Sequence, residues 1–369
     1  MLLTGYIFLL LLLVGFSWGF VDANLPFATL PWLYRLVYHE RGLATLIYSF
    51  IILALFGFYL TILRLVKKQK LTARQLWLWL AVTVIILLFS YPAFSNDVFN
   101  YIATAKVTFF YQENPYLVMP IEIPNEPMLK YLHAANKVAL YGPAWIILTG
   151  VPHLLGRGNI LASIFTFKIF VALFYAATAY LIWRISQFNL WSLAFFAFNP
   201  LVVVETLVSG HNDVVMMFWA LFAFFWVRRK RFFLALIFLL ISVLIKLATL
   251  FLLPVFTYLI YLNFKRLKVN WPRIWRWSAL AMYLIFLLSP LREEIYAWYL
   301  IWPLTFVALI GRASFLSYVS LGFSLGLMFR FTPFIYTRNW GGITPLVKKL
   351  VTTITPLFTG ILYAFRKKV

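Results

Sequence analysis

Long apolar runs, interrupted at intervals by short polar or basic clusters, dominate the chain. About 20 consecutive apolar residues suffice for a helix to cross a bilayer. The pattern predicts twelve such segments, at residues 2–20, 43–63, 76–94, 160–183, 190–208, 214–227, 232–245, 248–262, 274–288, 297–310, 314–328 and 346–365. The apolar residues come in blocks rather than in alternations of about ten residues, which excludes a transmembrane β-barrel. The first block has no basic lead-in and no clear small-residue cleavage site, so it reads as a retained helix rather than a signal peptide. The expected fold is an all-α polytopic membrane protein forming one integral domain over residues 1–369. N-terminal spans occupy 1–94, an outer loop with surface or half-membrane helices occupies 95–159, and the remaining spans occupy 160–369.

Composition sharpens this reading. The 369 residues are 64% apolar, 20% aromatic and only 11% charged, with a mean hydropathy of +0.91. Soluble domains are about 45–50% apolar and about 25% charged, so a soluble enzyme and a disordered chain are both excluded. Cysteine is absent, which removes disulfides and thiolate metal sites. A net charge of +22 would point to nucleic acid in a soluble protein, but here its placement decides, and no nucleic-acid partner is expected. Arg64, Lys67, Lys68, Lys70 and Arg74; Arg184; Arg228, Arg229, Lys230 and Arg231; Lys265, Arg266, Lys268, Arg273 and Arg276; Arg312; and Arg366, Lys367 and Lys368 all fall on one side of a twelve-span arrangement. Cytoplasmic loops collect Lys and Arg, so that side, with both termini, is cytoplasmic. The ten acids, Asp22, Glu40, Asp97, Glu113, Glu122, Glu126, Glu205, Asp213, Glu293 and Glu294, lie in the outer loops or near the outer ends of spans. Acid–base chemistry is therefore expected on the outer face of the membrane, which is read as a prokaryotic plasma membrane.

The residues able to carry chemistry are few. Asp97, in Ser95-Asn96-Asp97-Val98-Phe99-Asn100-Tyr101, sits at a membrane boundary where a general base can be partly desolvated; it equally suits a helix N-cap. His211, Asn212 and Asp213 follow Gly210 in a tight outer turn, which reads as a helix corner or as part of a site. Glu205 lies within an apolar run, where an ionisable group is costly and a functional candidate by default. Lys246 interrupts the apolar stretch 232–262 at the outer tip of a hairpin. There it can meet a lipid phosphate as a point charge or snorkel to the headgroups. Snorkelling is the expectation for Lys168. Arg292 can bind an anion or pair with Glu293 and Glu294. Tyr296, Trp298, Tyr299 and Trp302 suit an interfacial belt or the wall of a sugar site. Residues 143–155, with Pro152 and His153, read as a half-membrane or surface helix. No glycine-rich phosphate loop, Asp-x-Asp pair or His-Glu-x-x-His is present. No cofactor is expected, although Asp97, Glu113 and Asp213 leave a divalent metal open.

Read together, several segments resemble the GT-C glycosyltransferases. Ser95-Asn96-Asp97 with Tyr101, then Asn114-Pro115-Tyr116, then Tyr141-Gly142-Pro143 with Trp145 are similar to that superfamily's first outer loop. Asn199-Pro200-Leu201-Val202 with Glu205 and Gly210-His211-Asn212-Asp213 resemble its polyprenyl-phosphate-mannose-dependent α-mannosyltransferases in particular. Lys246 and the segment from Tyr296 to Pro303 follow in the right order. The resemblance covers residues 95–303 and leaves the N-terminal 75 residues unassigned. It implies inverting transfer of a sugar, mannose in that subgroup, from a polyprenyl-phosphate donor to a hydroxyl of a glycan or glycolipid acceptor. Asp97 is then the base and Lys246, His211 and Arg292 bind the donor phosphate. Asn96, Tyr101, Asn114, Tyr141, Glu205, Asn212, Asp213, Trp298 and Tyr299 contact substrates. Two other readings stay open: a transporter or flippase of a polyprenyl-linked saccharide, and an inactive assembly subunit.

Overall fold

The computed structural model describes residues 2–22, 25, 30–132, 134–312 and 314–368. Among these the chain is helical and contains no strand, as a lipid surrounding demands, because backbone N–H and C=O groups must then pair within each segment. The first part holds α1 (Leu2–Trp18), α2 (Pro31–Tyr38), α3 (Arg41–Lys67) and α4 (Ala73–Leu88). The outer-loop region contributes α5 (Asp97–Phe109) and α6 (Pro143–Gly156). Then follow α7 (Ile160–Ile185), α8 (Leu190–Ala197), α9 (Pro200–Val203), α10 (Asp213–Arg228) and α11 (Phe232–Ile245). The last part comprises α12 (Leu253–Phe264), α13 (Trp271–Leu288), α14 (Ile301–Val307), α15 (Phe315–Phe329), α16 (Thr332–Thr337) and α17 (Thr344–Lys368).

Five helical segments are long and apolar enough to cross a membrane, or six if the bent pair Leu190–Ala197 and Pro200–Val208 is one span. The expected twelve are not confirmed. Segments α1, α4, α6 and α11 have 17, 16, 14 and 14 residues; at 1.5 Å per residue they reach about 21–26 Å, against about 30 Å of hydrocarbon. The twelve-span topology therefore rests on charge placement alone. The predicted span 297–310 is a 3-10 turn, Ala297–Leu300, followed by the short α14.

Local chemistry explains the boundaries that matter for the site. Helix α4 opens on a capping box: Gln75 N donates to Thr72 Oγ1 at 3.3 Å and Thr72 N donates to Gln75 Oε1 at 2.9 Å. Between α8 and α9 the chain bends by 56°, because Pro200 brings no N–H while Asn199 Oδ1 accepts from Leu201 N at 3.0 Å to start the new helix. Helices α15 and α17 pack closely. A Cβ on Gly326 would lie 2.1 Å from the Val351 carbonyl oxygen, so only glycine admits α17 at that distance. Arg330 and Lys348 are drawn together by this approach, with Arg330 Nη1 donating to Thr352 Oγ1 at 3.0 Å.

Lys168 departs from the expected snorkelling. It is buried, and its ammonium donates to the Leu87 carbonyl and to Ser90 Oγ, both at 2.8 Å, and to the Ser90 carbonyl. A helix C-terminus leaves carbonyls without partners, and a cation there satisfies them. Lys168 thus fixes the end of α4 a few residues before Asp97.

Candidate active site

Three chain segments converge at the start of α5, the loop before α10, and the end of α11. Asp97 is the first residue of α5, but its carboxylate does not cap the helix. Ser95 Oγ accepts from Asp97 N at 3.1 Å, and the Asp97 side chain turns to His211, whose Nδ1 lies 3.2 Å from Oδ2. Tyr101 Oη donates to the same oxygen at 3.4 Å. The other ring nitrogen of His211, Nε2, is 3.2 Å from Glu205 Oε2. Neither contact meets hydrogen-bond geometry, and both are close contacts between the ring and a carboxylate. The imidazole is fully buried and stacks on Trp298 with ring centroids 3.9 Å apart.

The sequence builds this clamp with two irregular elements. Residues Val204–Val208 form a π turn, a feature that re-aims side chains within a helix and recurs at functional sites; it carries Glu205. Gly210 has φ +72°, and a Cβ there would lie 2.6 Å from Val98 Cγ2. Glycine alone supplies that conformation at no steric cost while letting the loop press against α5.

A second cluster adjoins the first. Lys246, in extended conformation at the end of α11, donates to Asp213 Oδ2 at 2.7 Å. Trp302 Nε1 donates to Asp213 Oδ1 at 2.6 Å, so both oxygens of this fully buried carboxylate are engaged. The Lys246 ammonium lies 6.0 Å and 5.9 Å from the ring centroids of Tyr141 and Tyr299. Gly142 N donates to the Ile245 carbonyl at 3.1 Å, tying the end of the outer loop beside Lys246. Asn212 N donates to Tyr101 Oη at 3.3 Å, while the Asn212 side-chain amide is buried without a protein partner.

These neighbours set the charge states. Burial works against ionisation of Asp97, but the contact with His211 and its charge, helped by Lys246 and the Tyr141 hydroxyl, hold its carboxyl below the ordinary value. Burial would lower the His211 pKa, yet Asp97 and Glu205 push it up to about 9. The result at neutral pH is an imidazolium held between two carboxylates. The Tyr141 hydroxyl is driven well above its usual value by burial and by the charge on Asp97, and stays a neutral donor.

Beside the clamp lies a cavity of about 290 Å³, whose lining includes Asn96, Glu205, Glu294, Trp298, Arg330 and Lys348. This is close to the lower end of the roughly 300–1,000 Å³ typical of ligand pockets. The structure thus brings together Asn96, Asp97, Tyr101, Tyr141, Glu205, His211, Asn212, Asp213, Lys246, Trp298 and Tyr299. Two candidates fall elsewhere. Asn114 is exposed and shapes a turn, accepting from Tyr116 N at 3.0 Å. Arg292 is exposed, and Glu294 turns instead to Arg330 and Lys348, each at 2.6 Å. Glu113 is also exposed, and among the described residues no group of three or more His, Asp or Glu side chains is arranged to hold a metal. Sequence reasoning missed Arg330 and Lys348. Their only signal is that, in the charge-derived topology, they are basic residues at the outer ends of the last two apolar runs.

No curated protein and no solved structure matches the chain. A family model described as the alpha-(1->6)-mannopyranosyltransferase N-terminal domain matches residues 2–262. The matched range holds Asp97, Glu205, His211, Asp213 and Lys246, and it also takes in the N-terminal 75 residues that the resemblance left unassigned. Covering well over half of the 369 residues, it shows that the chain belongs to the alpha-(1->6)-mannopyranosyltransferase family.

Proposed function

We propose that this mannosyltransferase takes mannose from a polyprenyl-phosphate donor and passes it, with inversion, to a hydroxyl of a glycan or glycolipid on the outer face of the membrane, with Asp97 as the base. The observation that carries the reading is the Asp97 carboxylate itself. It is 22% exposed while its partner His211 is fully enclosed and Glu205 and Asp213 are buried, so it is the most exposed carboxylate of the cluster. A carboxylate kept ionised by an imidazolium is in the unprotonated form that a base needs at neutral pH. In the proposed step the acceptor oxygen forms its bond to the anomeric carbon as its proton passes to Asp97. The bond from that carbon to the phosphate oxygen breaks, and its electron pair leaves with the phosphate. A phosphate leaving group needs no general acid. Grouping of all ten acids away from the main basic clusters supports the outer face. Because nucleotide sugars are cytoplasmic, an outer site calls for a donor carried on lipid.

Asp97→Asn tests the base assignment. Asn keeps the shape and hydrogen-bonding reach but cannot take the proton. The folded variant should bind donor normally and lose about 10²-fold or more in turnover, measured as mannose transfer from polyprenyl-phosphate mannose by purified protein. Near-normal turnover would move the base role to another carboxylate, Asp213 first.

A further inference from the structure

A charge balance over the site leaves one net-positive place. Lys246 is matched by Asp213 at 2.7 Å. The His211 imidazolium faces two carboxylates, Asp97 and Glu205, each at 3.2 Å, so the clamp is net negative. Glu294, by contrast, is one carboxylate shared by two cations, Arg330 Nη2 and Lys348 Nζ, each at 2.6 Å. Among the described residues no second carboxylate is in contact with this pair, although the Arg330 and Lys348 side chains are only 11% and 12% exposed. An excess positive charge on largely enclosed side chains that line a cavity attracts an anion. Both residues line the cavity, whose lining also includes Glu205, Asn96, and the stacked rings of Tyr296 and Trp298, centroids 4.6 Å apart. Neither Lys246 nor Arg292 is among its lining residues.

We infer that Arg330 and Lys348 form the anion-binding end of this cavity and receive the phosphate of the lipid-linked donor, a role the sequence pattern had given to Lys246. The inference rests on the donor class proposed above. The planar guanidinium can hold two phosphate oxygens at once and the ammonium a third. The sugar then lies along the Tyr296 and Trp298 rings, towards Glu205 and the residue preceding Asp97. As the anomeric bond breaks, the phosphate gains a negative charge, and preplaced cations stabilise that charge where it develops. Both donor binding and turnover should therefore depend on the pair.

The test uses full-length protein in phosphatidylcholine nanodiscs and measures binding of polyprenyl phosphate and of the polyprenyl alcohol of equal length. Arg330→Gln and Lys348→Gln should each weaken polyprenyl phosphate about tenfold, equivalent to about 1.4 kcal/mol, and leave the alcohol unchanged. Lys348→Arg should restore most of the loss, which separates a lost charge from a damaged fold. Lys246→Gln should alter phosphate affinity less than twofold. The site is overturned if the two variants weaken alcohol and phosphate equally, if Lys246→Gln alone abolishes phosphate binding, or if phosphatidylglycerol in the nanodisc competes as a simple headgroup ligand. Failure of the donor reading looks different: wild type would bind polyprenyl phosphate through these residues yet transfer no mannose from polyprenyl-phosphate mannose. Transfer that proceeds with donor KM unmoved in both variants sinks the anion site and leaves the donor class standing.

Discussion

His211 is the residue on which the site's electrostatics turn. Two carboxylates lie within 3.2 Å of its ring, and without its charge they would repel each other in a buried setting. Its pKa rises in the fold from the ordinary 6.5 to about 9. A raised pKa means that the folded state holds the proton more tightly, so the stabilisation is complete below about pH 6.5 and fades as pH climbs through about 9. Asp97 has the opposite sign: its lowered pKa stabilises above the ordinary carboxylate range and is lost as pH falls through the depressed value. Thermal unfolding should accordingly show a fall in Tm between pH 7 and about pH 9 in wild type. His211→Gln should be less stable at pH 7 and should lose most of that pH dependence. An unchanged alkaline slope in His211→Gln would show that the imidazolium does not hold the clamp together. Asp97, Glu205, His211, Asp213 and Lys246 were legible in the sequence for a simple reason: each interrupts or borders an apolar run where charge is costly. Their pairing was not legible, because Asp97 meets His211 from more than a hundred positions away and Lys246 meets Asp213 from 33 positions away.

At the scale of elements, the site depends on departures from regular helix. The π turn at Val204–Val208, the Gly210 loop and the extended end of α11 at Lys246 each break a pattern that composition alone would continue. Gly210 and Gly158 have nearly the same φ, +72° and +73°, but of the two only Gly210 has an atom in the way of a Cβ. Ala at either position should cost about 1–3 kcal/mol for the left-handed backbone. Gly210→Ala should cost more than Gly158→Ala, because Val98 must also move. It should lower mannose transfer by displacing His211 from Asp97, whereas Gly158→Ala should leave transfer near wild type. Comparison of Tm and of transfer rate for the two variants checks this; equal behaviour would mean that the contact with α5 carries no load. The half-membrane or surface reading of residues 143–155 meets α6, a 14-residue helix over Pro143–Gly156. It packs on α5, α7 and α11 and exposes Ile147, Val151, Leu154 and Leu155.

For the whole molecule, membership of a mannosyltransferase family favours transfer chemistry over the transporter reading. Orientation can be tested directly, because the chain has no cysteine and single cysteines give an unambiguous readout. Arg229 and Asn114 are both exposed. In intact cells an impermeant thiol reagent should label Asn114→Cys and spare Arg229→Cys until the membrane is opened; the reverse pattern would put the site on the cytoplasmic face. Composition and block patterning determined by themselves that this is an all-helical membrane protein, since a chain this apolar has no soluble fold available to it. Placement of charge in the sequence also marked most of the candidate site, because each buried polar group must be offset by something. What only the tertiary structure decided is which group offsets which. Lys246 is spent on Asp213, Lys168 on the end of α4, and Glu294 on two cations brought to it by the packing of α15 against α17. Arg330 and Lys348 read in the sequence as ordinary basic residues at helix ends. Their uncompensated charge exists only once the chain has folded, because charge balance is a property of distances in space and not of positions along a chain.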